Sequence, residues 1–135
     1  MAEHPNAVLV RRAMQAMTEQ DMSKAQQEMA IVDAFMADDI VWHEIGRAEP
    51  RRGKDELRAA MMGGARDYTI TYELHDVVAN DDHAIALGSA TATRGGVTLT
   101  YRTAEICQMT DGRATERWAF SDDTEARTAI FAKAM

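Results

Sequence analysis

Three consecutive residues, Trp42-His43-Glu44, put a large aromatic, an imidazole and a carboxylate on one short extended segment. A second acid, Glu105, stands far along the chain in an alternating stretch, sharing a face with Tyr101, Thr103 and Cys107. Side chains alternate across a strand, so His43 points opposite to Trp42 and Glu44. An imidazole has an ordinary pKa near ~6.5 and suits proton transfer at neutral pH. A carboxyl group on a partly apolar face is pushed upward by desolvation. An unprotonated base and a neutral acid facing one cavity would serve opposite ends of an enolising carbonyl compound. His43 is therefore the candidate base or orienter, and Glu105 the candidate acid or oxyanion donor. Each has a structural alternative. His43 can be a buried imidazole satisfied by a backbone carbonyl, and Glu105 a strand acid reaching an arginine such as Arg102 or Arg117. Trp42, Tyr72, Tyr101 and Trp118 are the aromatic candidates for the pocket wall, against the alternative of ordinary packing.

Other chemistries find less support. His4, His43, His75 and His83 show no zinc-like spacing, and His43-Glu44 lacks the second histidine four residues on that a metalloprotease helix needs. No metal is expected. No glycine-rich loop opens a helix in a βαβ unit, and no serine sits in a nucleophile elbow, so no cofactor and no nucleophilic serine are expected either. Cys107 is the only cysteine and lies in an apolar strand pattern, which points to a small buried side chain. A net charge of −7 argues against nucleic acid as a partner. Arg47, Arg51, Arg52 and Lys54 form a local basic run, either a solvated loop or a rim attractive to an anion. No stretch approaches the roughly 20 apolar residues of a membrane span, and no signal peptide is evident, so a cytoplasmic location without membrane contact is expected.

The elements that must position these groups follow from periodicity. A chain of 135 residues reads as one domain, 1–135. Apolar residues at spacings of three and four predict helices over 6–19, with Asn6 as cap, and over 23–36, with Asp21 or Ser23 as cap and Asp38-Asp39 as the stop. A strand over 40–45 precedes the breakers Gly46, Pro50 and Gly53. A short helix over 54–62 leaves through Gly63-Gly64. Alternation then predicts strands over 68–79, 83–93, 97–109 and 114–121, joined by Asn80-Asp81-Asp82, Arg94-Gly95-Gly96 and Asp111-Gly112. A terminal helix over 124–132 follows. Three helices ahead of most strands predict an α+β fold, a cone-shaped curved antiparallel sheet wrapped around the three N-terminal helices with an internal pocket.

This order of elements resembles the nuclear-transport-factor-2-like superfamily, and within it the SnoaL-like polyketide cyclases and ketosteroid isomerases. The resemblance rests on Gln20-Asp21, Ala37-Asp38-Asp39-Ile40-Val41-Trp42-His43-Glu44, Gly46, Arg52-Gly53-Lys54-Asp55, Asn80-Asp81-Asp82-His83-Ala84 and Asp111-Gly112-Arg113, and it spans nearly the whole chain. For a ketosteroid isomerase it would imply a base carboxylate where His43 stands, a protonated aspartic acid where Glu105 stands, and a tyrosine where Ala13 stands. One group is thus replaced by another kind of base, one by a longer acid, and one is missing, which argues against a steroid isomerase. Helix two is about two turns longer than in those relatives. Two functions follow as expectations. One is a cofactor-independent acid–base enzyme, isomerase or cyclase in type, acting on a small apolar carbonyl compound. The other is a non-catalytic small-molecule-binding or dimerisation module of the same fold. A homodimer is expected in either case.

Overall fold

The computed structural model describes residues 3–18, 25–45, 48–62, 68–126 and 129. Pro5–Thr18 form helix α1, Ala25–Phe35 α2 and Lys54–Met62 α3. Met36–Trp42 form strand β1, Arg51–Arg52 β2, Tyr68–Ala79 β3, His83–Arg94 β4, Val97–Thr110 β5 and Arg113–Ser121 β6. The expected caps Asp21 and Ser23, the Gly63-Gly64 exit and most of the terminal helix lie outside the described residues.

Proline occupies the first turn of α1, where a missing N–H costs nothing. The expected cap, Asn6, lies one residue inside the helix. His4 takes the capping role instead: its carbonyl accepts from Ala7 and Val8 N–H, and its Nδ1 accepts from Asn6 N–H at 3.1 Å. The Asn6 amide is thereby free to reach across to the β3–β4 turn, donating to Asn80 O at 2.9 Å and Asp81 O at 3.1 Å. The buried stripe of α1 runs through Ala7, Val10, Ala13 and Met14, while Val8 is half exposed.

One six-stranded sheet, in the order β2-β1-β6-β5-β4-β3, carries the molecule. The meander β3–β6 matches the expected strands closely, because its turns are specified locally. Arg94 pairs with Val97 around Gly95 and Gly96, both at positive φ, and Thr110 pairs with Arg113 around Asp111 and Gly112, also both at positive φ. Two successive positive-φ residues make the tight turn whose twist suits a hairpin.

The first strand differs from expectation. Helix α2 ends at Phe35, and β1 begins at Met36, so Asp38-Asp39 lies within the strand. A register shift between Met36 and Val41 explains it: Met36 and Ala37 are buried in succession, then Asp38 and Asp39 are exposed in succession. An irregular strand of this kind has no clean period of two. The sheet is also not wholly antiparallel, since β1 runs parallel to β6. Short β2, not anticipated, pairs with β1 through Val41–Arg52 and Trp42–Arg51.

Two further register shifts, between Leu74 and Asp76 in β3 and between Gln108 and Met109 in the β5–β6 ladder, bend the sheet around α1 and α2. Its inner face is paved with small side chains, Ala84, Ala86, Gly88, Ala90 and Ala92 of β4, all buried. Helix α3 packs on β1 and β2 instead, with Leu57 fully buried. Two members of the basic run, Arg51 and Lys54, are held by neighbours, while Arg52 is exposed on β2 and Arg47 lies outside the described residues. Arg51 donates to Glu44 at 2.9 Å, and Lys54 bridges the Asp33 carbonyl at 2.8 Å and the Asp38 carboxylate at 3.3 Å.

Candidate functional site

Small residues on β4 and a helix laid across them leave space between the two. That space is a cavity of about 180 Å³, lined by Val10, Ala13 and Met14 of α1, Phe35 of α2, Trp42 of β1, Tyr72 of β3, Ala86 of β4, Glu105 and Cys107 of β5, and Arg117 of β6. Among the described residues α3 supplies none of the wall, so the expected roof of three helices is a roof of two.

Most of the wall is apolar, and its charges are concentrated in one pair. Arg117 Nη2 donates to Glu105 Oε1, and Nη1 donates to the His43 carbonyl oxygen at 3.1 Å. The Arg117 Cζ lies 4.2 Å from the centroid of the Trp42 ring. The guanidinium is thus fixed by a carboxylate, a carbonyl and an aromatic face, and its own β6 backbone carbonyl accepts from His43 N–H at 2.8 Å. Arginine suits this position because its planar, permanently charged head can stack and donate at once. Glu105 Oε2 is buried and has no hydrogen-bond partner among the described residues, and the same holds for Tyr72 Oη and Thr103 Oγ1. Burial pushes the Tyr72 phenol above its usual pKa; the adjacent Thr103 hydroxyl opposes this, Glu105 adds to it, and Arg117 opposes it least. The Cys107 thiol is pushed up to about 12, chiefly by burial, and so stays protonated.

Glu105, Trp42 and Tyr72 therefore lie at the cavity, as the alternation of their strands requires. His43 does not converge with them. Its imidazole is on the opposite face of the sheet, with Nε2 2.7 Å from Glu116 Oε2 and its ring stacked on Trp118 at 5.8 Å between centroids. Glu116 and Trp118 flank Arg117 in β6 and must face away from the cavity if Arg117 faces into it. The expected pairing of His43 with Glu105 across one pocket is thus overturned, and Trp118 is an outer-face residue. Tyr101 is buried beside the cavity in a small cluster with Ala90 and Ala92, against Tyr72.

Of the structural alternatives for Glu105, the pair with Arg117 is the one realised, and Arg117 stands in the cavity wall. A one-residue bulge moves it inward. The Asp111-Gly112 turn pairs Thr110 with Arg113 and Met109 with Ala114, but the next pair is Gln108 with Glu116, so Thr115 is extra. Continued without the bulge, the ladder would set Glu105 opposite Trp118. With it, Glu105 opposes Ala119 and Cys107 opposes Arg117. A slip of one residue exchanges the two faces of a strand.

The model of the SnoaL-like domain family matches residues 10–117. The chain belongs to that family. In keeping with it, Bal32a from a soil-derived mobile gene cassette superimposes with a TM-score of 0.74 at 23% identity, over 93% of this chain and 95% of the other. A SnoaL-like polyketide cyclase from Jannaschia sp. CCS1 superimposes at 0.72 and 12% identity, over 98% of each chain. An epoxide hydrolase of the LEH-like type from M. tuberculosis does so at 0.67 and 16%, over 95% and 90%. At these identities the likeness shows the NTF2-like fold. No curated protein matches the SnoaL-like chain in sequence. Among its described residues no helix is long and apolar enough to cross a membrane.

Proposed function

We propose that the cavity takes up a small, largely apolar molecule and that Glu105 is the base that removes a proton from it. The observation that carries this reading is Glu105 Oε2, a buried carboxylate oxygen without a partner among the described residues, on the wall of a mostly apolar space. An unsatisfied buried acceptor costs about 1–3 kcal/mol, which a ligand's donor would recover. Arg117 holds Oε1, so the carboxylate is oriented with Oε2 toward the cavity, and an ion-paired carboxylate accepts protons and does not donate them. The role expected for Glu105 from the sequence, a neutral acid, is replaced here by that of the base. A cavity of this volume is slightly larger than the ~150 Å³ space that holds benzene, which favours a molecule of about one ring.

The proposed reaction is proton transfer next to a carbonyl without a cofactor. The C–H proton passes to Glu105 Oε2, the bonding pair moves to the carbonyl oxygen as an enolate, and the proton returns at the same or another carbon. Exchange of the α-protons of cyclohexanone in D₂O, followed by proton NMR, tests it. Exchange with the natural chain that is lost in Glu105→Gln supports the enzyme. Its absence, with phenol still binding more tightly than toluene, leaves the non-catalytic binding module. That second reading is favoured by one observation, the departure of His43 to the other face, which leaves a single acid–base group of the two expected.

We also propose that a second copy of the chain covers the outer sheet face. Val78, Leu87 and Phe120 are exposed there, beside Trp118 and paired threonine hydroxyls, Thr91–Thr100 at 3.0 Å and Thr93–Thr98 at 3.1 Å. Sedimentation at tens of micromolar should give a dimer, and Phe120→Asp should shift it to monomer. A natural chain sedimenting at 15 kDa refutes the proposal.

A further inference from the structure

Tyr72 crosses the floor of the cavity in a way that only one residue type permits. A Cβ placed on Gly88 would sit 2.2 Å from Tyr72 Oη and 2.4 Å from Cζ, far inside contact distance. The phenol therefore lies directly on the glycine backbone, and the ring spans from β3 over β4 toward β5. Gly88 pairs with Leu74 on one side and Thr103 on the other, and Ala86, two residues before it, pairs with Glu105. Tyr72 and Glu105 both line the space and Thr103 lies beside Tyr72, and among the described residues Tyr72 Oη, Thr103 Oγ1 and Glu105 Oε2 are the buried side-chain polar atoms without a hydrogen-bond partner. They are not chemically alike. A carboxylate oxygen can only accept, whereas a phenol can donate. Burial keeps the proton on the phenol at neutral pH.

We propose that Tyr72, held in place by Gly88, is the hydrogen-bond donor of the site and makes it selective for a ring-sized ketone whose carbonyl oxygen meets Tyr72 while its acidic proton meets Glu105. This rests on the cavity reading above and adds to it the ligand's second polar group. Gly88 acts as a positioning residue. Any side chain there displaces the phenol, because the backbone carbonyl of Glu73, 2.7 Å from the same Cβ, blocks the alternative of moving the strand. The selection is against the hydrocarbon of the same shape, since a buried donor left unpaired opposes binding.

Acetophenone and ethylbenzene test this, because they share a framework and differ in one carbonyl. Calorimetric titration of the natural chain should show acetophenone bound about fivefold more tightly, the ratio a single neutral hydrogen bond provides. In Tyr72→Phe the ratio should fall to about one, with ethylbenzene bound more tightly than by the natural chain because no donor is left unpaired, a change that a merely structural role of the ring does not produce. Gly88→Ala should lose the ratio too, with the phenol still present. A preference that survives in Tyr72→Phe overturns the assignment of the donor, and that variant keeps the ring, so it decides the question whether or not Gly88→Ala folds. A preference that survives in Gly88→Ala overturns the positioning role. Equal binding of both probes to the natural chain removes this inference and leaves the cavity reading standing; binding of neither removes both.

Discussion

Replacing Arg117 by methionine should be among the most damaging single changes in the molecule, and the damage should come mainly from the partner it leaves behind. The Arg117 side chain is 11% exposed and that of Glu105 16%. Removing one member of a buried pair leaves an uncompensated charge and costs about 3–5 kcal/mol. That is a large share of the roughly 5–15 kcal/mol by which a domain is stable. At about 3 °C per kcal/mol the melting temperature should fall by ~10–15 °C. Glu105→Gln is milder, about 2 kcal/mol, because the guanidinium keeps the His43 carbonyl, the Trp42 face and an amide oxygen. The double variant, with no charge left in the wall, should be more stable than Arg117→Met alone. Urea unfolding followed by far-ultraviolet circular dichroism measures all four chains, and avoids Trp42, whose fluorescence the substitution itself alters. Single effects that add to within about 0.5 kcal/mol would refute the reasoning, since coupled neighbours do not add.

Two further outcomes follow from side chains already placed. With its pKa near 12, Cys107 should have only about one thiol in ten thousand ionised at pH 8, so a disulfide reagent should label it very slowly in the folded chain and rapidly in urea; fast native labelling would contradict its burial. Asn6→Ala should cost about 1–2 kcal/mol in urea unfolding, because two carbonyls of the β3–β4 turn lose their donor; a neutral change would mean that this tie contributes nothing.

The parts of this fold that sequence reveals are those specified by near neighbours. The hairpins at Gly95-Gly96 and Asp111-Gly112 are written in two residues each, and they fix the meander. The inward set Tyr101, Thr103, Cys107 and Met109 follows from plain alternation in β5. What depends on a bulge is not written so. Trp118 is expected at the pocket wall, yet the extra residue Thr115 turns it outward and brings Arg117 in. His43 and Trp42 stand on opposite faces of β1, so only one of them can reach Glu105's cavity, and alternation alone does not say that it is Trp42. The site was half legible for this reason: Glu105, Trp42 and Tyr72 belong to the predicted faces, and the cation that orients the acid does not. Asp38-Asp39 misled in a similar way, since two adjacent acids suggest the end of a helix and here occupy the outer side of an irregular strand.

The parallel pairing of β1 with β6 also bears on how the molecule is made. The meander can assemble by successive short closures, each hairpin depending only on the one before it. Residues 36–42, in contrast, wait for partners more than 70 positions later, and such distant closure is slow. During synthesis α1, α2 and β1 leave the ribosome long before β6, carrying Phe35, Ile40 and Trp42 with no strand to cover them. Pulse-labelled hydrogen exchange in which β1 amides became protected before those of β5 would contradict this order. Arg117 travels on β6, so the nascent chain has Glu105 in hand before its counter-ion arrives. The binding site is accordingly a late product of folding, and a chain interrupted before residue 117 has most of the cavity's wall without the group that orients its acid.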